Sequence, residues 1–107
     1  MYELILLINM LRNTPVVQDS VLTEIAQQRA EYLCTHKFSH DGWLEYRSDF
    51  QFRGENLAKG FKDMKSTNKA FMASPTHKKV MLNENYQYVG IGEACGITVE
   101  EFGGNIK

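Results

Sequence analysis

The sequence predicts an α+β fold for residues 1–107, in which helices lie on either side of a small, mostly antiparallel sheet. Apolar residues recur at helical spacing in the first third of the chain and again between residues 63 and 82. The segment 86–104 instead alternates as two strands around a turn that contains glycine. Because the 107 residues contain no repeat, linker or low-complexity stretch, we expect a single domain with one hydrophobic core.

The first predicted helix is amphipathic and lies close to the amino terminus. Its apolar stripe comprises Leu4, Leu7, Ile8 and Leu11. We expect this helix to end near Arg12, because Pro15 disfavours the helical conformation of the residue before it. Glu3 stands where a signal peptide carries basic residues, and Asn9 interrupts the apolar run. The segment is therefore interpreted as a core helix and not as a targeting signal.

The second predicted helix begins after a cap formed by Asp19 and Ser20 and reaches about Cys34. Acidic Glu24 lies in its first turn, where the helix dipole favours a negative charge. Its buried face is predicted to comprise Leu22, Ile25, Ala26, Ala30 and Leu33.

Two further helices are predicted in the second half of the chain. The third runs from about Asp63 to Met72, with Met64, Thr67 and Phe71 facing inward. The fourth begins in "SPTHKKVML", where Ser74 is a good N-cap and Pro75 suits the first helical position.

The remaining segments are predicted to form loops and strands. "HKFSHDGW", residues 36–43, is interpreted as a loop, and Phe50 and Phe52 alternate like a short strand that ends before "RGENLAKG". In that motif Asn56 is expected to bond the backbone of a turn. "YQYVGIGEACG" and "ITVEEFGG" predict a terminal β-hairpin. Gly90 and Gly92 suggest that another part of the chain comes close to its first strand.

The charge and the apolar pattern argue against several classes of partner. The formal net charge of −1 provides no bulk attraction to nucleic acid or to an anionic membrane. No stretch approaches the roughly 20 apolar residues of a transmembrane helix. Cys34 and Cys95 lack CxxC spacing, so neither a zinc knuckle nor a redox motif is indicated. They are either free buried thiols or, in an extracellular chain, a disulfide between a helix end and a strand.

Histidines and carboxylates are the candidate chemical groups, since the chain has no GxSxG elbow, HExxH helix or phosphate-binding glycine loop. His77 falls in the first turn of the fourth helix, where the dipole disfavours imidazolium and favours the neutral form that binds metal. A surface histidine without a role is the alternative. Glu55 is a second candidate, for which a salt bridge to Arg47 or Arg53 is the structural alternative.

Several motifs, taken in order, resemble one family over nearly the whole chain. "LINMLRN", "VLTEIAQQRAEYL", "FSHDG", "GENLAKG", "SPTHKKVML" and "YVGIG" follow the order and spacing of the CAP superfamily of cysteine-rich secretory proteins, antigen 5 and pathogenesis-related proteins. The match runs from about Leu4 to Phe102 and corresponds to the short, prokaryotic-type SCP domain. The resemblance implies a three-layer α-β-α sandwich with a central cleft.

The resemblance also implies a site in that cleft, where two histidines and acidic residues often hold a divalent metal. Carried over by motif, the site residues are His40 in "FSH", Glu55 in "GEN" and His77 in "SPTH". His36 matches nothing in the pattern and is expected on the surface. Phe71 stands where the family usually has tryptophan. The second glutamate that many members carry just after that aromatic is missing from residues 72–74.

Three functions are compatible with such a site. We favour a non-catalytic, monomeric, secreted binding module that takes a metal such as zinc with modest affinity, or a small-molecule, lipid or peptide ligand, because catalytic zinc usually has three protein ligands. The second possibility is a metal-dependent, peptidase-like hydrolase with Glu55 as general base. The third is a lipid or sterol carrier. The first two differ in whether Glu55 can reach a metal-bound water or instead supports a histidine.

Overall fold

The computed structural model describes residues 2–106, which form four α-helices, a short 3₁₀-helix (Trp43–Glu45) and a four-stranded sheet. The helices are α1 (Tyr2–Asn9), α2 (Ser20–Leu33), α3 (Met64–Ala73) and α4 (Pro75–Leu82). The strands are β1 (Val17–Gln18), β2 (Phe50–Lys59), β3 (Tyr88–Ala94) and β4 (Ile97–Ile106). Within this described range, no helix has both the length and the apolar character needed to cross a bilayer.

The strands are ordered β1-β3-β4-β2, and all neighbours are antiparallel except β1 and β3. Helix α2 covers one face of the sheet, where its small residues pack against Leu57, Ile97 and Val99. Helices α1, α3 and α4 cover the other face, around a larger apolar cluster that includes Phe71 and Phe102. The molecule is therefore a three-layer α-β-α sandwich, which confirms the predicted fold class.

Helices α2 and α3 form where their apolar stripes predict them, and α2 begins after its predicted cap. The Asp19 carboxylate accepts a hydrogen bond from the Leu22 amide at 2.9 Å and so caps α2, and Asp63 caps α3 through the Ser66 amide at 2.7 Å. All five residues of the predicted α2 stripe are buried. In α3, Thr67 and Phe71 are buried as predicted, and Met64 is half-buried.

Helix α1 ends at Asn9, three residues earlier than predicted. The Asn9 side chain bonds both the amide and the carbonyl of Val16 and so ties the helix end to the chain that enters β1. Arg12 lies beyond the helix and is buried, because its guanidinium donates to the carbonyls of Met81, Asn83 and Tyr86. Three backbone acceptors therefore fix Arg12 in a non-helical position. Leu11, predicted to be in the stripe, is exposed.

The prediction of a short strand that ends before "RGENLAKG" is wrong, because β2 continues through that motif to Lys59. Residues 54–58 are all buried, since helices cover both faces of the sheet there. Alternating hydrophobicity, the usual sign of a strand, is therefore absent. Asn56 bonds no turn. It lies within β2 and donates to the His77 carbonyl at 3.1 Å. The two-residue strand β1 was not predicted at all.

The terminal hairpin forms as predicted, and its glycines have the expected role. A Cβ at Gly90 would overlap the backbone of Leu22, and one at Gly92 would overlap that of Ala26, so α2 packs directly on β3. Cys95 lies in the turn between β3 and β4 with φ of 53°, and not in a strand as expected. It forms a disulfide with Cys34 at the end of α2, which decides between the two possibilities that the sequence left open.

Candidate functional site

Glu55 is the centre of a buried hydrogen-bond network on the α2 face of β2. Its side chain is 0% exposed, and the Arg29 guanidinium donates to both of its oxygens, at 2.9 Å and 3.0 Å. His40 Nδ1 donates to Glu55 Oε1 at 2.8 Å. Burial alone would raise the pKa of Glu55, but the hydrogen bonds from Glu101, Arg29 and His40 outweigh it and hold the pKa below its usual value. Glu55 is therefore a carboxylate with both oxygens engaged.

Arg29 also fixes the loop that carries His40. Its terminal nitrogens donate to the carbonyls of Ser39, at 3.0 Å, and Asp41, at 3.3 Å. These two residues flank His40, so one buried guanidinium holds both the backbone of the histidine and the carboxylate that bonds its ring. Because a carboxylate only accepts hydrogen bonds, His40 must carry its proton on Nδ1, and Nε2 is left as a lone-pair donor. The His40 side chain is 54% exposed, so this nitrogen can be reached by a ligand.

Glu101 lies directly across the β2–β4 ladder from Glu55 and is also buried. Neither of its oxygens accepts a hydrogen bond from a donor in the described part of the chain, and the nearest cationic nitrogen, on Arg53, is 4.0 Å away. Burial, together with the hydrogen bond and the charge of Glu55, raises the pKa of Glu101 far above the usual carboxyl value. Glu101 is therefore a neutral acid at pH 7, opposite the carboxylate of Glu55 on the neighbouring strand.

The opposite face of the same strand holds His77. Asn56, the residue after Glu55, donates both to the His77 carbonyl and, at 3.0 Å, to Glu100. Glu100 is fully buried, and this burial raises its pKa to about 8, which the bond from Asn56 only partly opposes. The two histidines are thus attached to consecutive residues of β2, His40 through Glu55 and His77 through Asn56.

His77 lies in the first turn of α4, where its Nδ1 is 2.8 Å from Ser74 Oγ. Ser74 is at the N-cap position as predicted, but its hydroxyl bonds this histidine and no backbone amide of the helix. Burial lowers the pKa of His77, and the charge of His40 lowers it further. Burial and the neighbouring His40 thus favour the neutral form of His77.

The structure thus brings His40 and Glu55 into direct contact and places His77 on the other side of β2. No group of three or more histidine, cysteine, aspartate or glutamate side chains converges as a metal site within residues 2–106. A groove that lies elsewhere, between α1 and α2, is larger than the pocket beside His40. His36 is exposed, as predicted, and stacks on Tyr32 with ring centroids 3.8 Å apart.

The residues that support the site were not predicted from the sequence. The partner of Glu55 is Arg29, and not Arg47 or Arg53. Arg29 could have been found, because it interrupts the α2 stripe at a position where a charged residue must be buried. Glu100 and Glu101 stand between Val99 and Phe102 in a predicted strand, so one of the two acids had to face each covered side of the sheet.

Comparisons with known proteins identify relatives of the chain by sequence. The model of the cysteine-rich secretory protein family, CAP, matches residues 9–96. The uncharacterized protein YkwD of Bacillus subtilis (strain 168) is 39% identical over 70 residues, which is 64% of this chain and 27% of that protein.

Solved structures share the fold at lower sequence identity. An extracellular protein of Bacillus anthracis that contains an SCP domain superposes with a TM-score of 0.90 and 24% identity, over 98% of this chain and 40% of the other. An outer surface protein of Borrelia burgdorferi gives a TM-score of 0.75 and 24% identity, over 97% of this chain and 88% of the other. At this identity the likeness shows the fold alone. The chain spans 27% and 40% of the two Bacillus proteins it matches.

Proposed function

Because the chain belongs to the cysteine-rich secretory protein (CAP) family, we propose that it is a non-catalytic binding module whose two histidines, His40 and His77, bind a divalent metal ion such as zinc. Each imidazole has Nδ1 engaged, by Glu55 or by Ser74, which directs Nε2 to a ligand. Imidazole nitrogens suit zinc, and the lowered pKa of His77 keeps it in the neutral form that coordinates. A bound ion would present open coordination positions to a small ligand.

The observation that carries the non-catalytic assignment is the engagement of Glu55. A general base must offer a free oxygen to the proton it removes, within hydrogen-bond reach. Both Glu55 oxygens instead accept bonds from Arg29 or His40, and the side chain is 0% exposed. Glu55 then acts as a positioning residue that fixes the His40 tautomer, a role that outer-sphere carboxylates commonly have. The hydrolase alternative would require Glu55 to leave a bidentate guanidinium pair.

We further propose that the protein works outside the cytoplasm. The Cys34–Cys95 disulfide is typical of oxidising compartments. Two of the structures that share the fold are named as an extracellular protein and an outer surface protein.

Isothermal titration with zinc tests the site. We expect modest affinity for the parent at pH 7, since only two histidines contribute, and weaker binding at acidic pH as His77, whose pKa is lowered by burial, protonates. His40→Ala and His77→Ala should each abolish binding, and His36→Ala should leave it unchanged. Equal affinity in all four proteins would show that the metal binds elsewhere.

A fourth variant distinguishes the two roles of Glu55. Glu55→Gln should weaken zinc binding by roughly 10- to 100-fold, because the residue that positions His40 is altered. Neither the parent nor this variant should hydrolyse a peptide substrate. Hydrolysis of a casein or peptide substrate by the zinc-loaded parent, lost in Glu55→Gln, would overturn the non-catalytic assignment.

A further inference from the structure

One wide groove of the described structure lies away from the histidines. It has a volume of about 1050 Å³ and lies between α1 and α2, beside the short strand β1. Its α1 wall includes Ile5 and Leu6, and Leu6 is 60% exposed. Ile91 of β3 also lines this groove, although only 2% of its surface is exposed.

Beside this groove, the backbone groups of β3 on either side of Ile91, at Val89 and Glu93, are hydrogen-bonded. In an antiparallel ladder alternate residues bond the partner strand, and the residues between them point their amides to the other edge. Val89 points to that other edge, because its carbonyl accepts from the Asp19 amide at 2.9 Å. Glu93 does so as well, because its amide and carbonyl bond the Gln27 side chain at 3.1 Å and 3.0 Å.

Ile91 lies between these two residues and points its amide and carbonyl to the same edge. Strand β1 ends at Gln18, opposite Val89, and therefore stops short of Ile91. By this alternation neither backbone group of Ile91 bonds β4, and no bond of either group to another part of residues 2–106 is found outside the sheet. More than nine in ten buried backbone groups are paired in native proteins, so this donor and acceptor define a specific recognition point at the groove.

Gln27 shows which chemistry fits this edge. Its carboxamide supplies one acceptor and one donor to the backbone of Glu93, as a residue of a neighbouring strand would. The gap at Ile91 is a single residue long, because β1 ends on one side of it and the Gln27 carboxamide lies on the other. The lining residues include one carboxylate, Glu24, and no lysine, arginine or histidine. An uncharged donor–acceptor pair therefore matches the groove, and an anionic group does not.

We propose that this groove, named here the β3-edge groove, binds a peptide segment through the backbone N–H and C=O of one residue, which pair with the carbonyl and amide of Ile91. Residues paired across a ladder point their side chains to the same face of the sheet. The Ile91 side chain belongs to the apolar cluster on the α1 face. The side chain of the bound residue therefore faces α1, where Ile5 and the exposed Leu6 favour an aliphatic residue.

The test uses a minimal peptide and the amide resonances of the ¹⁵N-labelled protein. N-acetyl-L-valine N-methylamide presents one residue with its N–H, C=O and an aliphatic side chain. We expect it to shift the Ile91 amide resonance in a saturable manner and to slow hydrogen exchange of that amide. The analogue methylated on the valine nitrogen lacks the donor and should cause no such shift. An unmoved Ile91 resonance, or equal shifts with both compounds, would overturn the proposal.

Two further experiments test the class of ligand and the α1 wall of the groove. Isobutyramide carries a primary carboxamide and no peptide backbone. If isobutyramide shifts the Ile91 amide resonance and the valine peptide does not, the ligand of the groove is a carboxamide and not a peptide. Leu6→Glu should weaken binding of the valine peptide by about tenfold or more, because an apolar contact is lost. Leu44→Glu is the matched control, since Leu44 is 61% exposed and lies outside the groove. Equal weakening by the two substitutions would contradict the assigned wall.

Discussion

At the scale of single residues, the unusual feature is the number of buried carboxyls on two adjacent strands. Glu55, Glu100 and Glu101 are all buried, yet only Glu55 has a cation bonded to it. The charge of a buried acid must be compensated or removed. The structure uses both solutions, since Glu55 is ionised against Arg29, whereas burial raises the pKa of Glu100 and of Glu101.

Glu100 should make the stability of the protein depend on pH. Its pKa is about 8 in the folded protein and 4.5 when unfolded, so between these values the folded state holds a proton that the unfolded state has lost. The free energy of unfolding should therefore fall as the pH rises from 5 to 8, by about 1.4 kcal/mol for each unit by which the pKa is displaced. Urea denaturation at several pH values should show a smaller fall for Glu100→Gln than for the parent.

Glu93→Gln is the control for that experiment, because Glu93 lies on the neighbouring strand and is exposed. It should reproduce the pH profile of the parent. A parent profile that rises between pH 5 and 8, or one that Glu100→Gln leaves unchanged, would show that Glu100 is ionised in the folded protein.

Arg29 should be the most sensitive charged residue of the site. Arg29→Met removes the guanidinium that bonds the buried Glu55, and truncating one partner of a buried pair typically costs about 3–5 kcal/mol. Arg47→Met, at an exposed arginine, should change the free energy of unfolding by less than about 0.5 kcal/mol. Chemical denaturation of both variants makes the comparison. Similar losses in the two would mean that Glu55 is neutral.

At the scale of elements, the sequence predicted those helices that depend on residues close together in the chain. Helix α2 was predicted because a side-chain cap and an apolar stripe agree, and α3 was predicted from its stripe. Strand β2 was cut short because Gly54 to Ala58 lie under helices on both faces, which removes the alternation that a strand pattern needs. Strand β1 has only two residues and so leaves no pattern at all.

The candidate site was predictable to a similar extent. The resemblance indicated His40, Glu55 and His77, and the structure puts Glu55 in contact with His40 and His77 one strand residue away, through Asn56. The polar network beneath them was not predicted, because it depends on the register that sets Glu101 opposite Glu55. Register follows from tertiary pairing and is not visible in a short motif.

The contact between α2 and β3 should tolerate no side chain at Gly92. An alanine Cβ there would overlap the backbone of Ala26, so α2 must move away from the sheet. We expect Gly92→Ala to destabilise the protein by about 3 kcal/mol or more. Gly60→Ala has open space around the new Cβ and a strained φ of 89°, so it should cost only about 1–2 kcal/mol. Thermal and urea denaturation measure both. A smaller loss for Gly92→Ala would mean that α2 packs less closely than described.

At the scale of the whole molecule, one covalent bond joins two of the three layers. The Cys34–Cys95 disulfide connects the end of α2 to the β3–β4 turn across 61 residues. A loop of that length corresponds to about 4 kcal/mol in the chain-entropy model. The Cys34→Ala/Cys95→Ala double variant should therefore melt well below the parent. Reduction of the parent should lower its melting temperature to a similar extent and should leave that of the variant unchanged.

Metal removal, in contrast, should hardly affect the melting temperature. The apolar clusters on the two faces of the sheet contain neither His40 nor His77. The Cys34–Cys95 disulfide already joins α2 to the sheet without a metal. The stability that a bound ion adds grows only with the logarithm of the ratio of free zinc concentration to Kd. Zinc at a concentration near its Kd therefore contributes little. We expect EDTA-treated and zinc-loaded protein to melt within a few degrees of each other, measured by calorimetry, with His40→Ala as the control that no longer responds to zinc. Unfolding by EDTA at room temperature would show instead that the histidine pair holds a structural metal on which the fold depends.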